Sequence, residues 1–312
     1  MLQPTKPLPF APAHLHPQII VPLEAGDAEA LTGLVSGLTP GSGIDVLEWR
    51  VDALAVFQRW AAGQAGAEAA FAIERAAGLR VCEATGLPVR ASIRTGAEGG
   101  PVPVPDPVYD TAVTGLIESA TPTPTHGLRV VPEHRTGAGP EFGAGLCAVD
   151  VEFHRAPAAG LLQAAADRGV AAVASFHDFE STPDAEFLSE LLRAMETAGA
   201  AVAKFAVLPQ SLQDVLRVLE VTARATGRLA PCPNPDRSGA PVRAAVPESP
   251  AASGSLSIPV IAIAMGRLGQ ITRTAGEFGS AASFASLERA SAPGQLGVQQ
   301  LRSIFAAQGL QD

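Results

Sequence analysis

Apolar residues gather into eight short runs along the chain. These are QIIVPL from Gln18, IDVLEWRVD from Ile44, LPVRASIRT from Leu87, LCAVDVEF from Leu146, VAAVASFHD from Val170, AAVAKFAVLP from Ala200, IPVIAIAMG from Ile258 and a weaker GSAASFAS from Gly279. Each has strand length and is mostly apolar on both faces, as parallel strands covered by helices are. The stretches between them carry helical periodicity. In SLQDVLRVLEVTARATG, Leu212, Val215, Leu216 and Leu219 recur at i, i+3, i+4 and i+7, which predicts a buried stripe with Ser211 as N-cap and Gly227 as stop. In STPDAEFLSELLRAMETAG the expected cap is Ser181 or Thr182, with Pro183 near the first turn and Gly199 as terminator. Eight strands alternating with helices predict an α/β chain of the (β/α)8 TIM-barrel class. An open doubly wound sheet is the competing arrangement, but VPLEAGDAEA, after the first strand, lacks its GxGxxG loop.

Two segments break the rhythm, at about 119–145 and 227–257, where Pro, Gly, Ser and Ala crowd out any period. Each follows a helix and precedes a strand, so in a barrel each belongs to the face opposite the chemistry. The expected organisation is an irregular Pro-rich tail over 1–17 and one barrel domain over 18–312 that carries both insertions.

Charge narrows the partners. With 22 Lys and Arg against 31 Asp and Glu the formal net charge is −9, which argues against a nucleic-acid or anionic-membrane surface. Mean hydropathy is positive (+0.21), yet no apolar run approaches the roughly 18 residues of a membrane span. The first residues lack the apolar segment of about 7–15 residues that marks an export signal, so a cytoplasmic location is expected. Cys82, Cys147 and Cys232 show no CxxC spacing and read as free thiols.

Barrel chemistry sits at the C-terminal ends of strands. Those ends offer Glu48, Arg50 and Asp52 on the second strand and Arg94 on the third, with Glu98 following. Asp150 and Glu152 lie on the fourth, His177 and Asp178 end the fifth, and Lys204 lies within the sixth. Arg273 follows the seventh, and a late SAPGQ segment spans Ser291 to Gln295. Only two of the 22 cations are lysines, Lys6 and Lys204, so a lysine in the apolar run AVAKFAVLP stands out. A guanidinium keeps its proton, whereas a desolvated ammonium can lose it and attack a carbonyl. A core ion pair between Lys204 and Glu152 is the competing structural reading. His177 is a candidate acid/base beside it. Arginines at three strand ends suit a small, anionic, hydroxylated substrate. Metal binding is disfavoured, since no second His or Cys stands at ligand spacing.

The ordered series DVLEWRVD, ASIRTGAEGG, VDVEF, ASFHDFESTP, AKFAVLP, IAMGRLGQITRTAGEFGS and SAPGQL resembles the type I 3-dehydroquinate dehydratases from about Ile19 onward. The resemblance implies a lyase without cofactor or metal that dehydrates 3-dehydroquinate. It gives Lys204 the Schiff base, His177 the general acid/base role and Glu98 the positioning of that histidine. It gives Glu48, Arg50 and Arg94 the ring hydroxyls and the ordering of the site, Arg273 the substrate carboxylate, and Ser291 and Gln295 a closing loop. A homodimer is implied as well. Ala97 departs from the family, which often has Lys there, and the two insertions lie outside the resemblance. The alternatives are another imine-forming barrel lyase or aldolase and a non-catalytic sugar-acid binder.

Overall fold

The computed structural model describes residues 17–122, 145–229, 255–287, 292 and 294–308. The Pro-rich tail, nearly all of both insertions, Lys6, Cys232 and Ser291 lie outside the described residues.

All eight expected strands form: β1 (Gln18–Leu23), β2 (Val46–Arg50), β3 (Pro88–Ser92), β4 (Gly145–Glu152), β5 (Ala171–Asp178), β6 (Val202–Val207), β7 (Val260–Ala264) and β8 (Ala282–Ser286). A two-residue β9 (Leu296–Gly297) adds to β8. Every pairing is parallel, in the order β7-β6-β5-β4-β3-β2-β1-β8-β9. The sheet therefore curls through its first and last strands, as a barrel requires. Between β7 and β8 the seam is joined by the Ala281 N–H donating to the Val260 carbonyl at 2.8 Å and the Ala262 N–H donating to Ser280 Oγ at 3.3 Å.

Among the described residues eight helices cover the outside: α1 (Ala28–Val35), α2 (Ala55–Ala61), α3 (Ala67–Glu83), α4 (Asp106–Ser119), α5 (Ala158–Asp167), α6 (Ala185–Thr197), α7 (Leu212–Ala225) and α8 (Val298–Ala307). Their distribution is not one per crossover. Two helices stand between β2 and β3, whereas β7 reaches β8 through the 3-10 turns Gln270–Arg273 and Gly276–Phe278. Gly266, Gly269, Gly276 and Gly279 punctuate that crossover and deny it a long helix.

Two details of the helix reading are corrected. The cap of α6 is Asp184, whose Oδ1 accepts from the Phe187 N–H at 2.8 Å. Ser181 is engaged elsewhere, its N–H and Oγ donating to the Asp178 carboxylate. On α7, Ser211 caps as expected and Gly227 adopts φ +72°, but Leu212 and Leu216 are 68% and 57% exposed. The buried face is instead Val215, Val218, Val221 and Thr222. Leu216 lies about 100° round the helix from Val215, and tertiary packing selected the β-branched stripe over the leucine one.

The strand period of two divides the apolar residues into two cores. Ile19, Val21, Leu47, Trp49, Val149, Val151, Phe205 and Val207 face the helices. Ile20, Val46, Ala148, Val173, Val202, Ile261, Ile263 and Phe284 fill the inside of the curl. Glu48, Arg90, Asp150, Ser175 and Lys204 belong to the same inward set and are buried. The outer core is tight at Gly78 of α3, where an added Cβ would meet the Trp49 ring at 2.5 Å. Gly78→Ala is expected to destabilise the fold by about 1–3 kcal/mol through overpacking. Urea unfolding would test this, and an unchanged midpoint would show that α3 shifts freely over Trp49.

Candidate active site

Lys204 sits mid-strand on β6 in register with Ser175 of β5, while His177 lies two residues further along β5. The His177 Cα therefore stands one inward step above the level of the Lys204 Cα, roughly 7 Å along the strand direction at about 3.3 Å per residue. Both residues line a cavity at the C-terminal ends of the strands, with about 640 Å³ of unfilled space counted out to its mouth. Glu48, Arg50, Arg94, Glu98, Arg273 and Gln295 line it too, so every described residue to which the family resemblance gives a role converges there, whereas Asp52, Asp150, Glu152 and Asp178, also offered by the strand ends, do not line it.

The third strand and its loop supply the frame. Arg94 is buried, and its Nη1 donates to Glu98 (3.1 Å), Glu152 (3.2 Å) and Ser175 Oγ (3.1 Å), while its Nη2 donates to Asp150 Oδ1 (2.8 Å). The backbone is fixed by carboxylates as well. The Arg94 N–H donates to Asp52 Oδ1 at 2.9 Å, and the N–H and hydroxyl of Thr95 each donate to Glu152 at 2.8 Å. The next turn, Gly96–Glu98, ends at Gly99 with φ +82°, beside the Phe179 ring. A side chain there would be strained and would strike that ring. The turn thus delivers Glu98 Oε2 to hydrogen-bond distance of His177 Nδ1, 2.8 Å, and with the proton on Nδ1 the Nε2 atom is left as an acceptor.

Burial drives the electrostatics. It holds the His177 imidazole well below its ordinary range, and the neighbouring Arg94 and Lys204 cations act in the same direction. Burial raises the Glu98 carboxyl, with Arg94 opposing and Glu152 and Asp150 assisting. Burial also lowers the Lys204 ammonium from 10.5 to about 7, against the attraction of Asp150. Glu48 goes down to about 2, because Arg90 and then Lys204 outweigh its desolvation. Arg273 is pushed down to about 10 by burial. Arg50 is tied to Asp52 through Nε (2.9 Å) and Nη2 (2.7 Å) and to Glu24 through Nη1 (2.8 Å), so it lines the cavity as a fixed cation.

The expected alternative partner of Lys204 is replaced. Its Nζ lies 3.9 Å from Asp150 Oδ2, while Glu152 is occupied by Thr95 and Arg94. Sequence reasoning missed Arg90, Ser175, Phe179, Met265 and Phe284. The signal for the first two was present, since Arg90 and Arg94 flank Ser92 at a period of two and Ser175 stands two before His177.

A curled parallel sheet wrapped by helices, with a buried amine and an imidazole–carboxylate pair at its strand ends, defines a barrel enzyme. Residues 140–234 and 249–312 match the family model described as type I 3-dehydroquinase. The chain belongs to the type I 3-dehydroquinase family, whose members are lyases. The 3-dehydroquinate dehydratase of Bacillus velezensis is 31% identical over 294 residues, 93% of this chain and 92% of that one. The fold is shared with the type I 3-dehydroquinate dehydratase from Clostridium difficile, solved with covalently modified comenic acid (TM-score 0.68, 23% identity, 94% and 92% of the two chains). It is shared as well with the 3-dehydroquinate dehydratase from Geobacillus kaustophilus (TM-score 0.62, 26% identity, 94% and 91%).

Burying an amine costs stability, and the sign follows from linkage. Between pH 7 and 10.5 the unfolded lysine binds more protons than the folded one, so the cost is full below about pH 7 and fades as pH rises toward 10.5. Lys204→Met is therefore expected to stabilise the protein by on the order of 1–3 kcal/mol at pH 6.5, with little gain at pH 10. Urea melts of both proteins at the two pH values would read this. A gain that grew with pH would reverse the assignment.

Proposed function

We propose that this chain dehydrates 3-dehydroquinate to 3-dehydroshikimate through an imine on Lys204. The observation that carries the reading is a buried lysine of lowered basicity, about 7, lining the same cavity as the His177–Glu98 pair. As a free amine, Lys204 adds to the C3 ketone and water leaves. The protonated imine then draws electrons from C2, where His177 removes a proton to give an enamine. The electrons return as the C1 hydroxyl departs, taking the proton from His177 to leave as water. Hydrolysis of the imine frees the product and Lys204. Glu98 orients His177; Glu48, Arg50 and Arg94 face the ring hydroxyls and order the site; Arg273 holds the substrate carboxylate, and Gln295 belongs to the segment that closes over the bound substrate. Ser291, which the resemblance places in the closing loop, lies outside the described residues. No cofactor or metal enters this scheme. A homodimer and a cytoplasmic location complete the proposal; among the described residues no helix is long and apolar enough to cross a membrane. Light scattering should give twice the 31.9 kDa of one chain.

Borohydride added during turnover should reduce the imine to a secondary amine on the Lys204 peptide, with the Lys6 peptide unmodified as internal control. An active protein without adduct would sink the imine, and an adduct without turnover of 3-dehydroquinate would point to another keto acid. Lys204→Arg should lose turnover by at least about 10³-fold. His177→Ala should still form the adduct while turnover falls by about 10²–10⁴-fold. Loss of both steps together would contradict this division of labour.

A further inference from the structure

Arg90 is fully buried inside the curl, yet it does not line the cavity. Strand register sets its Cα level with Ala148 and Ala171, and sets Lys204 level with Ser175, four residues further along β5. Its side chain therefore rises toward the lysine from the closed end. Its Nη2 pairs with Glu48 Oε1, and its Nη1 lies 3.8 Å from Asp150 Oδ2. Lys204 Nζ lies 3.9 Å from that same oxygen. Both cations stand over the Phe284 ring, Arg90 at 5.3 Å and Lys204 at 4.7 Å. Two positive groups thus share one carboxylate oxygen, and neither reaches hydrogen-bond distance from it.

We propose that Arg90 is a positioning residue for the nucleophile: by occupying Glu48 and drawing on Asp150, it leaves the Lys204 amine without a full carboxylate partner. A guanidinium suits this task because it keeps its charge in a dry interior. The lowered basicity of Lys204 agrees, since Arg90 depresses it while Asp150 and Glu48 raise it. The remaining charged groups around this interior are Arg50 on β2, Arg94 on β3, Glu98 on the turn after it, Glu152 on β4, His177 on β5 and Arg273 after β7. Of these, Arg94 is committed to Asp150, Glu152 and Glu98, Arg50 to Asp52 and Glu24, and Glu98 to His177. Arg90 is the cation that meets the lysine's own counter-ion oxygen.

The kinetic consequence rests on the imine reading, but the protonation of Lys204 can be read without it. Acetic anhydride labels only unprotonated amines, and the sequence has just two lysines, so mass spectrometry of the Lys204 and Lys6 peptides against pH gives the Lys204 midpoint with an internal reference. In the parent protein the midpoint is expected near 7. In Arg90→Gln it should rise by on the order of one pH unit, with about tenfold less labelling below it. Arg90→Lys retains a cation and should stay within a few tenths of a unit. Glu48→Gln, which leaves Arg90 unneutralised, should move the midpoint down. An unmoved Arg90→Gln midpoint, or an upward shift in Glu48→Gln, would overturn the proposal; if Arg90→Gln does not fold, the other two variants decide it. In turnover assays the acid limb of kcat/KM for Arg90→Gln should follow the labelling midpoint, with KM unchanged above it. A shifted midpoint in a protein inactive on 3-dehydroquinate would leave the role of Arg90 intact and sink the functional reading alone.

Discussion

A charge carried into a protein interior has to meet an opposite charge or lose its proton, and in this barrel both outcomes meet at Asp150. Its Oδ1 accepts from Arg94 at 2.8 Å and from Ser175 at 2.6 Å, while its Oδ2 is shared at longer range by Arg90 and Lys204. Three basic groups converge on one carboxylate. The two arginines cannot give up their protons, so the lysine, held least closely, is the group whose proton is loosened. The same cations keep the Asp150 carboxyl well below its ordinary range despite burial.

The loop that carries Glu98 depends on the same network. Asp52 and Glu152 accept from backbone N–H groups at Arg94 and Thr95, so the end of β3 is fixed from the turn after β2 on one side and from β4 on the other before the chain turns. Tyr109 of α4 adds a bond between its hydroxyl and the Glu152 N–H at 2.8 Å. Carboxylates bonded by charged or backbone donors are stiff anchors. The 2.8 Å contact between His177 and Glu98 thus rests on strand geometry more than on loop packing.

Strands were legible because burial on both faces writes itself as an uninterrupted apolar run, and all eight runs formed strands. The residues at their ends were legible for the same reason: Lys204 and His177 interrupt runs that are otherwise apolar. What stayed hidden depends on tertiary choice. Leu212 and Leu216 match a helical stripe as well as Val215, Val218 and Val221 do, and only the neighbouring sheet decides which is buried. Asp184 displaced Ser181 as cap because Asp178, distant in role though near in sequence, had already engaged that serine. Arg90 escaped notice because it lies mid-strand on β3, below the strand end where barrel logic looks for chemistry. An arginine side chain is long enough to reach the chemistry from there.

That reach bears on the proposed imine, which asks the site to accept an iminium where it disfavours an ammonium. An ammonium presents three donors, and near Lys204 the structure offers Asp150 Oδ2 at 3.9 Å, too far for a hydrogen bond. Its charge is therefore poorly satisfied, and the free amine is favoured. A protonated imine has a single N–H and spreads its charge onto carbon, so it needs less of what the site lacks, while the carboxylate field at Asp150 is still present to oppose its charge. An interior that only repelled cations would form an imine and then resist its protonation. One that fully paired the lysine would hold it as an inert salt bridge. Sharing Asp150 between Arg90 and Lys204 lies between these limits, and under the proposed mechanism it would let one buried site favour a neutral nucleophile and a cationic intermediate in succession.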